Sequence, residues 1–277
     1  MYQTFIGDRN SLVFPVMCNG HLLLDYSKNT PNAFESARTD DSTYGLWDLD
    51  TSFTIETILT PYDCSGNSSS SVTTSSKTLP YAAGTSTQSR RFLDTGNRLT
   101  YSMCIFYNTN AQLYLVNTAS SLANKPAEYK LQFVVTTASG TSTLNSATVI
   151  KGVTSYNTNL EALYLITPYH IAASFNVATG SMDIIVNGIS IASQVHTSKS
   201  TASMDFNIDN TDCYIGSTPP TGTFSTDGEA SNRKQFMGEL HELCITKGYN
   251  TDFSDIHTLI PTYENLLLYL RFEEIDA

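Results

Sequence analysis

Hydrophobic positions recur every second residue along much of this chain, in short runs broken by turn-forming residues. A period of two puts alternate side chains on opposite faces of a β-strand. Phe53 to Thr60 is a clear case: Phe53, Ile55, Thr57 and Leu59 alternate with Thr54, Glu56, Ile58 and Thr60, and Pro61 ends the run. Leu99 to Tyr107 sets Leu99, Tyr101, Met103, Ile105 and Tyr107 on one face. From Thr167 to Gln194 the pattern predicts three strands and two turns, the second turn at Asn187-Gly188, a dipeptide that tolerates positive φ at both central positions. This turn sets Val186 opposite Ile189 and Ile184 opposite Ile191, with Met182 on the same face. Asp183, Ile185, Ser190 and Ala192 form the other, mixed face. In the strand before them, Tyr169, Ile171, Ala173 and Phe175 face one way and His170, Ala172 and Ser174 the other.

Further strands are expected at Leu12 to Met17, Leu22 to Tyr26, Leu113 to Val116, Tyr129 to Thr136, Thr148 to Val153, Leu163 to Thr167, Met204 to Ile208, Cys213 to Gly216, Phe236 to Thr246 and Leu266 to Phe272. Ser254 is placed to cap a short helix that reaches Ile260, with Pro261 closing it. Residues 65–78, SGNSSSSVTTSSKT, read as a surface loop, since little in them could be buried to offset the entropy of ordering them. About a dozen short strands at intervals of roughly 8–15 residues, with almost no helix, predict an all-β antiparallel sandwich or barrel. No linker divides the chain. Residues 51–277 read as one domain, with 1–50 as an N-terminal segment or assembly arm, or as part of that same domain.

Composition narrows the partners. The net charge of −11 would repel a phosphate backbone, and Arg90-Arg91 and Arg233-Lys234 are isolated pairs, so neither nucleic acid nor an anionic membrane is expected. No run of apolar residues is long enough to span a bilayer, and the N-terminus lacks the pattern of a signal peptide. Cys18, Cys64, Cys104, Cys213 and Cys244 are odd in number and widely spaced, without a CxxC, which reads as buried free thiols rather than zinc or a disulfide framework.

The segments SFTIETILTPYD (52–63), YHIAASFNVATGSMDIIVNGISIAS (169–193), CYIGS (213–217), FMGELHELCITKGY (236–249) and LLLYLRFEE (266–274), in this order, resemble the laminin-G-like branch of the concanavalin A-like lectin/glucanase superfamily. The resemblance covers the last four-fifths of the chain, with an insertion between about 64 and 160. It implies a jelly-roll of two antiparallel sheets. Residues 1 to about 45 fall outside the family pattern. The family's paired cysteine near the last strand is not clearly reproduced by Cys213 and Cys244.

Glucanases of that superfamily carry a Glu-x-Asp-x-Glu arrangement on one strand face, as nucleophile and general acid. Here the matching stretch is Gly238-Glu239-Leu240-His241-Glu242-Leu243-Cys244. Glu239 and Glu242, three apart, point to opposite faces of a regular strand and read as surface carboxylates, so no hydrolase is expected. Many laminin-G-like domains bind calcium at the rim of the sandwich. Asp205, Asp209, Asn210 and Asp212 supply oxygen ligands between two strands, and Asp40, Asp41, Asp48 and Asp50 form a second acidic cluster. Calcium is the one metal considered, with Asp205, Asp209 and Asp212 as its candidate ligands; no other cofactor is expected. The five histidines show no ligand spacing.

Two functions are expected. One is a non-enzymatic structural or adhesion component of a phage or virus particle (a decoration, fibre or tail protein), partnered by other particle proteins or copies of itself and located on the virion. The other is a soluble, extracellular lectin-like module that binds surface glycan, with or without calcium; the 16 tyrosines could stack on sugar rings.

Overall fold

The computed structural model describes residues 12–14, 22–24, 52–61, 102–118, 128–147, 150–151, 168–199, 206, 213–219, 236, 238–253, 256, 259 and 265–271. Among the described residues, fourteen strands form two antiparallel sheets of seven. The first holds β1 (Leu12–Phe14), β3 (Phe53–Pro61), β9 (Tyr169–Phe175), β10 (Ser181–Val186), β11 (Ile189–Val195), β13 (Gly238–Lys247) and β14 (Leu266–Arg271). Its order is β1-β13-β3-β9-β10-β11, with β14 also paired to β13. The second holds β2 (Leu22–Leu24), β4 (Ser102–Tyr107), β5 (Ala111–Asn117), β6 (Glu128–Thr137), β7 (Gly140–Asn145), β8 (Ile150–Lys151) and β12 (Cys213–Ile215). Its order is β2-β12-β4-β5-β6-β7, with β8 on β6. Neighbours distant in sequence, such as β3 between β13 and β9, require the chain to cross repeatedly between sheets, as a jelly-roll sandwich does.

The two inner faces meet in one core. Phe53, Ile55 and Leu59 of β3 and Ile171, Ala173 and Phe175 of β9 join Leu131, Phe133 and Val135 of β6 and Leu113 and Leu115 of β5. Phe53 packs edge-on against Phe133 of the opposite sheet at 6.2 Å between ring centres. This geometry suits the ring quadrupoles and adds to the gain from burial. The alternation expected for β3 and β9 therefore holds.

The turn at Asn187-Gly188 is formed as expected. Both residues have positive φ, 50° and 76°. Asn187 accepts a hydrogen bond from the His170 amide through Oδ1, at 3.0 Å. The register beyond it differs. Val186 pairs with Ile189, but Ile184 pairs with Ala192, because Ile191 is an extra residue in a β-bulge. Ile189 does not enter the core; it is 67% exposed, on a strand at the sheet edge.

Three further expectations are corrected. β7 is a strand that hydrophobic alternation does not predict, because Thr141, Ser142 and Thr143 show none. Its pairing is set by the tight Ala138-Ser139 turn instead, with Gly140 opposite Thr137. Phe206 lies outside any strand. Of the helix expected from Ser254 to Ile260, the described residues Ile256 and Leu259 are non-helical, and the Leu259 amide donates to the Glu242 carboxylate at 3.0 Å; Ser254 itself lies outside the described residues. No helix of the described residues is long and apolar enough to cross a membrane.

Candidate functional site

The outer faces of the two sheets differ. Residues 248–250, 253 and 259 pack across the outer face of the first sheet, which is lined by buried polar side chains: Thr54, His170, Ser174, Asp183 and Glu242. Each has a partner. The Thr54 hydroxyl donates to Gly248 O at 2.8 Å and accepts from Asn250 N at 3.1 Å. Ser174 donates to Asn250 O, and Tyr249 donates to the Asp183 carboxylate. That bond and burial, burial first, push the Tyr249 hydroxyl up to about 12. His170 Nε2 lies 2.8 Å from Glu56 Oε1, and its ring packs 5.1 Å from that of Phe253. Leu259 joins Ile58 and Cys244 in a small apolar cluster.

The two glutamates of β13 sit here. Glu239 pairs with Thr60 and Glu242 with Ile58, while His241 is the extra residue of a bulge. Thr60 and Ile58 share the outer face of β3, so both glutamates point outward on the same side, not to opposite sides. The bulge cancels the alternation that a regular strand would impose. Glu242 is also not a surface carboxylate. It is 2% exposed, and its Oε2 accepts from Leu259 N at 3.0 Å and from the Tyr269 hydroxyl at 3.2 Å. Its role in the structure is to anchor the crossing segment. Glu239 is partly exposed, 3.9 Å from His241 Nε2.

The outer face of the second sheet presents a different surface. Across it, Tyr214 of β12 pairs with Tyr107 of β4, Tyr107 with Gln112 of β5, Gln112 with Val134 of β6, and Val134 with Thr143 of β7. Paired residues of an antiparallel ladder share a face, so these five side chains form one row across five strands. Four are half-buried and Thr143 is exposed. The rings of Tyr107 and Tyr214 meet at 6.2 Å and 76°, which makes an aromatic corner. The next row is Cys104, Tyr114, Gln132 and Asn145. Cys104 and Tyr114 are buried in it, while Gln132 is half-buried and Asn145 exposed. The Tyr114 hydroxyl donates to Gln112 Oε1 at 2.7 Å and so orients that amide. Burial, with Cys104 beside them, raises the Tyr107 and Tyr114 hydroxyls above the usual phenol range, so both remain protonated at neutral pH.

Sequence alternation places Tyr107 on one face with Met103 and Ile105, and the structure corrects this. Ile105 is the extra residue of a bulge: Cys104 pairs with Tyr114 and Phe106 with Leu113. Phe106 turns into the core and Tyr107 turns out. No local signal in SMCIFYN marks this.

The proposed calcium ligands Asp205, Asp209 and Asp212, with Asn210, lie outside the described residues, as do Asp40, Asp41, Asp48 and Asp50. Among the described residues no group of three or more His, Cys, Asp and Glu side chains is arranged to hold a metal ion. Cys104, Cys213 and Cys244 are buried free thiols, as expected; Cys18 and Cys64 lie outside the described residues.

No protein-family model matches the chain. No curated protein matches it significantly in sequence. Solved structures of similar shape include a heptameric SAP-like pentraxin from Limulus polyphemus, at 12% identity, TM-score 0.40, over 74% of this chain and 70% of that one. A candidate carbohydrate binding protein from Bacteroides ovatus aligns at 16% identity, TM-score 0.45, over 84% of this chain and 48% of its own. Domains LG4-5 of the mouse laminin α1 chain align at 13% identity, TM-score 0.38, over 76% of this chain and 42% of theirs. This chain thus spans less than half of the Bacteroides and laminin chains. These scores are low, and the fold assignment stands on the strand pairing itself: an all-β sandwich of two antiparallel sheets.

Proposed function

We propose that this chain is a non-enzymatic binding module, that its working surface is the outer face of the second sheet, and that its ligand is a glycan. The observation that carries the reading is the row Tyr214–Tyr107–Gln112–Val134–Thr143, in which every side chain keeps some exposure and two rings form an aromatic corner. A tyrosine ring offers an apolar platform to the C–H face of a sugar, while amide and hydroxyl groups match sugar hydroxyls as both donors and acceptors. The outer face of the first sheet offers no such surface among the described residues, since Gly248, Tyr249, Asn250 and Leu259 already occupy its polar groups. The non-enzymatic part of the proposal is supported by Glu242, whose carboxylate is buried and engaged. The phage or virus carrier expected from the sequence finds no support in the structural neighbours, and the proposal is confined to the binding role.

The test is a glycan array probed with the whole chain, with calcium and then with EDTA. Saturable binding to defined glycans supports the reading. Loss of that binding in EDTA would add a calcium site and make Asp205, Asp209 and Asp212 the first residues to substitute. Binding to no glycan, or hydrolysis of a bound glycan that Glu239→Gln abolishes, contradicts it.

A further inference from the structure

Resting on that reading, we infer that the ligand is an uncharged, linear oligosaccharide lying across the strands along the row from Tyr214 to Thr143. Length is the first argument. The row crosses β12, β4, β5, β6 and β7, which is four inter-strand steps, or about 19 Å at roughly 4.8 Å per step. One sugar ring cannot reach both ends. The aromatic corner and Gln112 would hold one part of the ligand, Val134 would pack under the next, and the Thr143 hydroxyl would meet the far part.

Charge is the second argument. The row contains no ionisable group except the two tyrosine hydroxyls, and the raised Tyr107 stays neutral. The next row, from Cys104 to Asn145, is likewise without a carboxylate or a cation. Lys130 stands a further row away, opposite Val116. A sialylated or sulfated glycan would find no cation in the row to pair with, and would approach a chain of net charge −11. A neutral glycan incurs neither cost.

Burial gives the direction. Cys104 is 0% and Tyr114 4% exposed, so the face is closed one row from Tyr107 on β4 and β5. In the adjacent Tyr214–Thr143 row, each of the five side chains keeps some exposure. A ligand that reads all of it must run perpendicular to the strands.

The test is titration calorimetry of the whole chain with neutral linear gluco-, manno- and galacto-oligosaccharides of increasing length, and with sialyllactose and heparin as anionic probes. In at least one neutral series, affinity should rise about tenfold or more from the single sugar to the four-unit chain and then level off, with little change between low and high salt. Tyr214→Ala and Thr143→Ala stand at opposite ends of the row. Each should weaken the four-unit chain severalfold, and Thr143→Ala should leave the single sugar unaffected. Neutral binding that does not grow with length, or binding confined to the anionic probes and weakened by salt, overturns the inference while leaving the glycan-binding reading in place. Binding to no glycan removes both.

Discussion

Replacing Glu242 with alanine probes the part of the structure that departs most from a surface reading of β13. Glu242 is 2% exposed, and one of its oxygens accepts from both Leu259 N, at 3.0 Å, and the Tyr269 hydroxyl, at 3.2 Å. Alanine removes that acceptor from both donors. The Leu259 amide is buried, and stranding it costs about 1–3 kcal/mol. Tyr269 is half-buried and its hydroxyl also faces Leu259 O at 3.4 Å, so it adds little. The expected loss is about 2 kcal/mol. At roughly 2–4 °C per kcal/mol for a domain near this size, Tm should fall by about 4–8 °C. Glu242→Gln keeps an oxygen acceptor and loses the charge, so it should cost about 1 kcal/mol. Glu128→Ala, a half-exposed carboxylate on β6, serves as the comparison and should stay within about 0.5 kcal/mol. The assay is urea unfolding followed by far-UV circular dichroism, with a thermal melt alongside. If Glu242→Ala were no worse than Glu128→Ala, Glu242 would be a surface carboxylate after all, and the packing of Leu259 on the outer face of the first sheet would be refuted.

Three other outcomes are expected. His196 accepts from Ser198 N through Nδ1 at 3.2 Å, so Nε2 carries the proton donated to Val135 O at 3.2 Å. Burial lowers its pKa, against opposing backbone hydrogen bonds. The unfolded chain therefore binds the proton more readily, and stability should fall as pH drops from about 6.5 towards the lowered folded value. His196→Gln should flatten that slope in urea midpoints measured across the window; an unchanged slope contradicts the assignment. Burial, with Glu56 and Glu242 nearby, pushes the Cys244 thiol up to about 12, and Cys104 and Cys213 are also buried. Peptide mass spectrometry after thiol labelling at pH near 8 should find all three unmodified in the native protein and modified in guanidinium; native labelling of Cys244 goes against its burial. Gly238 has φ of 153°, and a Cβ there would stand 2.3 Å from Thr60 O, so Gly238→Ala should cost about 2–4 kcal/mol in a thermal melt. A neutral result contradicts the close approach of β13 to β3.

The fold is largely legible in the sequence because the residues that build the core obey local rules. β3 and β9 alternate cleanly, and Asn187-Gly188 signals its turn by composition. The candidate site is not legible there, and the reason is the same on β4 and β13. Ile105 and His241 are each one extra residue in a ladder, and each reverses the alternation of the residues after it. That reversal turns Tyr107 out of the core and brings Glu239 and Glu242 to one side. A bulge depends on the partner strand, β5 or β3, and not on its own few residues. β7 is hidden for a related reason: Thr141, Ser142 and Thr143 pair through their backbone, with no apolar pattern to announce it. Ser254 suggests a helix after Asn250 by its capping chemistry alone. The Leu259 amide instead serves the Glu242 carboxylate, a partner far from it in sequence.

On the proposed reading, the face bearing Tyr107 binds glycan. The most direct measurement is calorimetric affinity for the strongest array ligand, in wild type, Tyr107→Phe and Tyr107→Ala, after circular dichroism has shown all three folded. Tyr107→Phe keeps the ring and should bind within severalfold of wild type. Tyr107→Ala removes the platform and should weaken binding about tenfold or more, which is at least ~1.4 kcal/mol. Equal affinity in all three would place the ligand elsewhere and contradict the account.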